Sequence, residues 1–355
     1  MSFRKAFGHT VKPGSWFPLH MATGLQKIQR IIRRIDGVIE VHDARVPFSG
    51  RSSYFHQQIV GGRPHLLVLN KMDLVDEHFQ TDVNQKLIHS CDRILYTSTI
   101  QNKRKNLDKI VPELIEVLHE KHRFHRSDER DIHVLVVGVP NVGKSSLINA
   151  LRNDLLGKAG KPMATAPYAG VTKSLSERLR ISHSPSVFLV DTPGILEPEL
   201  GTPESPFRLA LCGIFRDEVV GLPIIVDYLL FWLNRRRMFR YVQVLNLPEP
   251  IDNVDEVLLR VAMDQKLIFK GKDMKTKRSI ERFDLEKAAH YIIKLFRNGE
   301  FGMLMLDDDV LYRKNATLKI LPTISAEVNV YHLMILRIFK NVFSKHRESS
   351  PFEAP

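Results

Sequence analysis

The sequence predicts an α/β fold followed by a second, mainly helical domain, and three observations predict it. Short apolar runs recur through the first half, each bounded by polar residues, Gly or Pro: VIEVH (38–42), HLLVLN (65–70), ILYT (94–97), HVLVVG (133–138) and VFLVD (187–191). Runs of this kind read as strands of a sheet covered on both faces. Segments with helical spacing lie between them, at 23–35, 77–90, 107–122 and 144–156, which is the alternation of a parallel sheet with crossover helices. After about residue 205 the pattern changes, and Leu, Ile, Val and Phe recur at helical spacing through 206–234, 253–266 and 284–297. The polar stretch 121–131 reads as a linker, and 157–173, rich in Gly, Pro, Ala and Thr, as a mobile loop. The expected division is a basic N-terminal segment over 1–15, an α/β domain over 16–205, a helical domain over 206–300 and a C-terminal extension over 301–355.

Composition narrows the classes. The 355 residues are 43% hydrophobic and 26% charged, enough for a well-packed core. A net charge of +12 favours polyanionic partners, nucleic acid and anionic lipid alike. Cys91 and Cys212 are the only cysteines and have no ligand spacing around them, so neither a zinc site nor a disulfide framework is supported. The longest apolar run, Leu222 to Leu233, is short for a membrane span and is interrupted by Asp227, so it reads as a buried helix. The N-terminus carries Arg4, Lys5 and Lys12 without an acidic residue, a pattern shared by mitochondrial targeting segments and by ordinary basic chain ends.

Three motifs carry the chemistry. GVPNVGKSS, Gly138 to Ser146, follows an apolar strand and opens a helix, the context a phosphate loop requires. Its backbone N–H groups, among them those of Val142, Gly143 and Ser146, would cradle phosphates. Lys144 would set its charge against the β and γ phosphates, and the Ser145 hydroxyl would ligate Mg²⁺. DTPG, Asp191 to Gly194, ends another strand; Asp191 would reach the Mg²⁺ shell, and Gly194 would let the backbone approach the γ phosphate and move after hydrolysis. NKMD, Asn70 to Asp73, has the form N-K-x-D. A carboxylate at Asp73 accepts two hydrogen bonds from guanine N1–H and its exocyclic amine, a pair adenine does not offer. Asn70 would buttress this loop, and the Lys71 stem would lie over the base. YTST (96–99) follows the next strand, and Ser98 is the candidate there for a backbone N–H on the guanine carbonyl.

The order of these motifs is unusual. Ordinary GTPases run phosphate loop, switch threonine, DxxG, NKxD and final base loop, whereas here NKMD and YTST precede the phosphate loop. Joining the old chain ends and opening new ones at the surface gives the same sheet in a new order. The fold class is therefore a circularly permuted P-loop GTPase domain with a helical C-terminal domain. In this order DxxG leads directly into the helical domain, so a nucleotide-driven change there has a path into it.

On these residues, together with WFPLHM (16–21), DARVPFSGR (43–51), AGVT (169–172) and DTPGI (191–195), the chain resembles the circularly permuted GTPases that assist assembly of the large ribosomal subunit, and their mitochondrial branch in particular. The resemblance covers roughly residues 14–300. It implies that Thr172 is the switch threonine that coordinates Mg²⁺, and that Asn141 ligates a K⁺ ion whose charge stands in for an arginine finger. Ile195 follows Gly194, where Ras-like enzymes carry a water-orienting glutamine, and an aliphatic side chain cannot do that work. The family pattern assigns it to His20, within W-F-P-x-H-M. Leu19 stands beside it where bacterial relatives carry glycine.

Asp43 and Arg45 in DARVP read first as an ion pair ordering the following loop, and alternatively as a ribosome-facing surface. Lys103–Arg104–Lys105, Arg235–Arg236–Arg237 with Arg240, and Lys272 to Arg282 are candidate phosphate contacts. The leading expectation is an enzyme that hydrolyses GTP to GDP and phosphate, with Mg²⁺ and K⁺ as cofactors, on the mitochondrial large ribosomal subunit and its rRNA. It would be monomeric when free, with the matrix side of the inner membrane as its place and only peripheral membrane contact. The alternatives are a GTP-dependent scaffold at a membrane or protein complex, and the same assembly role in the cytoplasm.

Overall fold

The computed structural model describes residues 3–11, 24, 26, 28–51, 56–100, 102, 104–121, 129–156, 178–194, 201–272 and 279–313. Six strands form one sheet in the order β3-β2-β1-β4-β6-β5, with β1 Gly37–Asp43, β2 His65–Asn70, β3 Arg93–Tyr96, β4 Asp131–Val137, β5 Arg178–His183 and β6 Ser186–Asp191. Every pairing is parallel except β5 on β6. The five strands expected from apolar runs are all present. They read as continuous hydrophobic segments because β1 and β2 are buried along their whole length and β4 from its second residue. β5 was not foreseen. Its sequence, RLRISH, alternates apolar with polar residues, because one face buries Leu179 and Ile181 while Arg180 and His183 are exposed, and Ser184–Pro185 turns it back onto β6.

Helices cover both faces. α1 (Phe79–Leu87) follows the NKMD loop; on one face α2 (Ile110–Glu120) packs on β2 and β3, and α3 (Lys144–Leu156) packs on β5 and β6. α2 places Ile110, Leu114, Val117 and Leu118 inward, one stripe at helical spacing. On the opposite face, helical residues 28–31 and the turn over His56–Val60 bring Ile28, Ile59 and Val60 against Val38, Leu135, Val137 and Val190.

The region beyond the sheet contains α4 (Ser205–Leu211), α5 (Leu222–Arg235), α6 (Arg240–Val244), α7 (Val254–Asp264), α8 (Leu285–Arg297) and α9 (Asp308–Tyr312). The apolar run Leu222–Leu233 is a central helix buried almost all round, as expected of a core helix rather than a surface one. α7 starts at an Asn253 cap whose side chain accepts from the Glu256 N–H, and α8 at an Asp284 cap that accepts from Lys287 N–H. One departure from the helical expectation is a two-stranded hairpin, β7 Ile268–Lys272 with β8 Ser279–Phe283. Its strands, IFKGK and SIERF, neither alternate nor form an apolar run, so their basic residues read as a charge run. Among the described residues no helix is long and apolar enough to cross a membrane.

The sheet and the helices share one continuous core, and the described residues fall in one compact unit ending at Arg313. Two segments expected at its margins belong inside it. Residues 301–312, read as the start of an extension, carry Leu306 and Asp307 fully buried, and Leu304 and Leu306 donate their N–H groups to Leu74 and Arg45 carbonyls at 2.9 Å each. The Asp307 carboxylate accepts from the Phe48 and Ser49 N–H groups, the Ser49 hydroxyl and Arg208 Nη1, at 2.9, 2.7, 2.6 and 3.1 Å. The basic N-terminal segment is docked as well. Arg4 bonds Asp227 at 2.7 and 3.1 Å and Asp252 at 3.0 Å. The Phe7 ring packs edge-on against Phe207 and Tyr228 and tilted against Phe231, with centroids 4.8, 5.1 and 5.5 Å away. The buried Asp227 that interrupts the apolar run is thus the counter-ion of the N-terminus.

Truncating Phe7 to Ala should cost about 3 kcal/mol, within the usual range for losing a packed phenylalanine. Thermal or urea denaturation checks this; a stability equal to that of the unaltered chain would mean the segment is not docked in solution.

Candidate functional site

All five parallel strands end at the same edge of the sheet, and each C-terminal end leads into one of the predicted motifs or into DARVP: Asp43 on β1, Asn70 on β2, Tyr96 on β3, Val137 on β4 and Asp191 on β6. Ligand loops in open α/β sheets gather at this edge. The permuted order does not disturb the arrangement, because β4 sits between β1 and β6 and so brings the late phosphate loop beside the early base loop.

Asn70 joins them. Fully buried, it donates through Nδ2 to the Val142 carbonyl of the phosphate loop at 2.8 Å, and its Oδ1 accepts from the Thr97 hydroxyl at 3.2 Å. Gly143 has φ +100°, and a Cβ there would stand 2.3 Å from Asn70 Nδ2, so both the backbone and the contact demand glycine. On the other side of the loop Gly138 passes the Val41 carbonyl so closely that a Cβ would lie 2.0 Å from it. Asn141, at φ 59°, takes the left-handed conformation and donates from Nδ2 to the Gly213 carbonyl at 2.5 Å. Ser145 and Ser146 lie in the first turn of α3, both partly exposed.

Lys144 is buried, and its ammonium donates to the Gly138 and Val139 carbonyls at 3.0 and 2.8 Å. Burial pushes its pKa down to about 8, against the opposing pull of the Asp191 charge. Asp191 is displaced upward by the same desolvation, opposed by Lys144 and by the Thr192 N–H. Both Asp191 carboxylate oxygens are buried and lack a hydrogen-bond partner of ordinary geometry among the described residues. A buried carboxylate in that condition beside a phosphate loop suits a divalent cation shell. The neighbouring Thr192 hydroxyl donates to the Val136 carbonyl at 2.8 Å, fixing DTPG to β4. Gly194 lies directly on the phosphate loop, where a Cβ would come within 2.7 Å of Pro140 N and Cα.

At the base loop, the Ser98 hydroxyl donates to Asp73 at 2.8 Å. The Ser98 N–H, expected from sequence to meet the guanine carbonyl, donates instead to the Lys105 carbonyl at 3.3 Å in a small bridge. Lys71 adopts φ 61°, and its ammonium meets Asp43 at 2.9 Å. Asp43 is fully buried and also bound by Arg45 through two contacts of 2.8 and 3.0 Å; these cations hold its pKa far below the usual carboxylate range. The ion-pair reading of DARVP is therefore what the fold contains, and its partner Lys71 is the part the sequence did not disclose. Arg45 lies in turn over the Phe296 ring at 5.2 Å. His20, Thr172 and Ile195 lie outside the described residues.

Three strand ends thus bring together a glycine-rich loop with a buried lysine, the buried Asp191 carboxylate beside it and the N-K-x-D loop, the arrangement of a P-loop guanine-nucleotide site in permuted order. The sequence profile of the 50S ribosome-binding GTPases matches residues 133–220, from the strand before the phosphate loop through DTPG to beyond α4, and leaves NKMD upstream. Mitochondrial GTPase 1 of Aedes aegypti is 41% identical over 300 residues, 83% of this chain and 94% of that protein. Mitochondrial ribosome-associated GTPase 1 of Mus musculus is 41% identical over 307 residues, 86% of this chain and 92% of that one. Among solved structures, GNP-bound YlqF from T. maritima is 21% identical, covers 80% of this chain and 97% of its own, and has a TM-score of 0.49. On the strength of the relatives, the chain belongs to the mitochondrial ribosome-associated GTPase family, enzymes that bind and hydrolyse GTP.

Two outcomes test this geometry. Gly143→Ala should weaken GDP binding about 100-fold or more, since added atoms collide with Asn70 at a strained backbone position; fluorescence titration of a GDP analogue measures it. Because the folded Lys144 pKa lies near 8, below the usual lysine value, its charged form dwindles as pH rises past that point, and phosphate binding must restore it. GDP affinity should therefore fall above about pH 8 with uptake of close to one proton, read by calorimetry in buffers of different ionisation enthalpy. Lys144→Met should abolish that proton uptake.

Proposed function

We propose that this protein is a mitochondrial GTPase that binds the immature large ribosomal subunit in its GTP form and leaves after hydrolysis. The observation that carries the reading is the Asn70–Val142 bond between base loop and phosphate loop, which supports the permuted site as a working nucleotide pocket. In the proposed chemistry Asp73 reads the guanine edge, and Lys144 with the N–H groups of Val142, Gly143 and Ser146 holds the phosphates. Water attacks the γ phosphorus, the bond to the β–γ bridging oxygen breaks, and GDP and phosphate depart. Ser145 and Asp191, with Thr172, would hold Mg²⁺, and the Asn141 side-chain oxygen a K⁺ ion; when bound, these ions supply positive charge against the phosphate oxygens. His20 is proposed to orient the water, since Ile195 cannot.

The subunit's rRNA is the proposed partner of the β7–β8 hairpin. Phe269 and Phe283 are each 42% exposed, and the Arg282 guanidinium lies over the Phe269 ring at 5.1 Å. A stacked aromatic and a cation side by side suit unpaired bases and phosphates. The other basic groups serve less well: Arg104 pairs with Asp154 and Lys105 with Glu77, while Arg236 is held by Asp308 and lies over Trp232. The matrix, where large subunits are built, is the proposed location. Peripheral contact with the inner membrane is tested by titrating the unaltered chain and its Phe269→Ala, Arg282→Ala variant with anionic vesicles.

The deciding experiment is GTP hydrolysis with and without purified mitochondrial large subunits, in K⁺ and in Na⁺. Stimulation of at least about 10-fold by subunits, larger in K⁺, is expected for a site completed by its partner. No stimulation together with no co-sedimentation would sink the ribosomal reading. Asp73→Asn should weaken GTP binding about 100-fold, through loss of two charge-assisted hydrogen bonds, and should admit xanthosine triphosphate, whose carbonyl accepts from the new amide. Phe269→Ala with Arg282→Ala should lower rRNA affinity about 10-fold and reduce its salt slope by about one.

A further inference from the structure

Arg297, the last residue of α8, makes no contact described so far, yet it spends its whole guanidinium on one turn. Its Nε donates to the Leu211 carbonyl at 3.0 Å and its Nη2 to the Ala210 carbonyl at 2.9 Å, the last carbonyls of α4. Asp217 clamps the same guanidinium through both carboxylate oxygens, at 3.1 and 2.5 Å. These are the acceptors that a helix C-terminus leaves without an intrahelical partner, so the cation caps α4. Gly213 closes that helix at φ +72°, its N–H returning to the Ala210 carbonyl at 2.9 Å. The guanidinium lies against it: a Cβ on Gly213 would stand 3.2 Å from Arg297 Cζ. The carbonyl of this same Gly213 takes the Asn141 side-chain amide of the phosphate loop.

Three links therefore run in series, from the end of α8 to the α4 turn to the phosphate loop. Asn141 sits in a left-handed conformation that only a well-supported asparagine holds at low cost. The Gly213 carbonyl that receives its amide has its position set from the helical region. From the sheet side the loop is held at other points, by Asn70 at Val142 and by the close approach of Val41 at Gly138.

We propose that Arg297 is a positioning residue for the phosphate loop. By fixing the Ala210–Gly213 turn it sets the Gly213 carbonyl, and through Asn141 the affinity of the loop for nucleotide. Displacing α8, as a partner bound to the helical region would, then alters nucleotide affinity without touching the nucleotide. The proposal rests on the reading of residues 138–146 as a nucleotide loop.

The test is a double-mutant cycle on the full chain, with Arg297→Gln, Asn141→Ala and both together. The GDP dissociation constant is read by fluorescence titration, and thermal stability is recorded beside each. Loss of GDP binding by the unaltered protein would overturn the nucleotide reading itself. Given binding, Arg297→Gln should weaken GDP about 10-fold in the otherwise unaltered chain and less than about 2-fold when Asn141 is already Ala, the signature of two residues acting through one path. A merely structural arginine would lower stability and weaken GDP by the same factor in both backgrounds, and that equality, or no effect in the unaltered background, would overturn the proposal. Should Arg297→Gln fail to fold, Asp217→Asn takes its place in the same cycle. It loosens the clamp while leaving both α4 carbonyl contacts, and the same unequal pair of fold-changes is expected.

Discussion

A single buried side-chain amide holds the nucleotide site together. Asn70 stands at the end of β2 and reaches a carbonyl of the phosphate loop, while its oxygen receives the Thr97 hydroxyl from the end of β3. Three separate chain segments meet on one group with no solvent to replace a lost partner. Removing it would leave buried acceptors and donors unmatched, which costs more than the bonds themselves contribute. Gly143 is the complement of this arrangement, since no side chain could share the space. The sheet supplies the neighbouring strand ends, but this amide sets how the base-reading and phosphate-holding loops face each other.

The same logic of buried, fully matched charge recurs where the helices meet the sheet. Arg208 is completely buried and bonds Asp307, Asp309, Glu204 and the Tyr228 hydroxyl. Asp307 in turn grips the backbone after DARVP. Desolvated charges of this kind stabilise little beyond what a hydrophobic set would provide, but breaking one leaves the others stranded. They therefore fix the relative placement of Phe48–Ser49, α4 and the 304–307 segment more than they add to stability. Together with Arg45 over Phe296, they tie the helical region to the base-loop side of the site as Asn141 ties it to the phosphate side.

Much of this was legible beforehand, and for a definite reason. Strands buried on both faces read as apolar runs, and the loops at their ends carry rare residue combinations, so the five parallel strands and all three motifs could be placed. β5 and the hairpin were missed because neither is an apolar run: β5 alternates because only one of its faces is buried, and IFKGK and SIERF are short, basic and largely exposed. Site residues whose partners lie far along the chain were equally opaque. Nothing near Asn141 announces Gly213, and nothing near Lys71 announces Asp43. Ser98 shows a subtler failure: the loop was identified, but the small bridge to Lys105 that claims its N–H depends on a backbone conformation no motif encodes. The docking of the N-terminal segment was equally hidden, because basic composition is the same whether the cations face water or a buried carboxylate.

Permutation also rearranges the order in which the molecule is made. The base-reading half of the sheet, β1 to β3, is contiguous both in sequence and in space, and the remaining strands follow as a second contiguous block, β4 to β6. During synthesis the first block is complete before the phosphate loop leaves the ribosome, and β1 then offers its open edge as a template for β4. In the usual order the phosphate-binding strand is made first and waits for its neighbours. Here the glycine-rich loop is laid onto a base pocket already in place, and the nucleotide site closes as the last step of building the sheet.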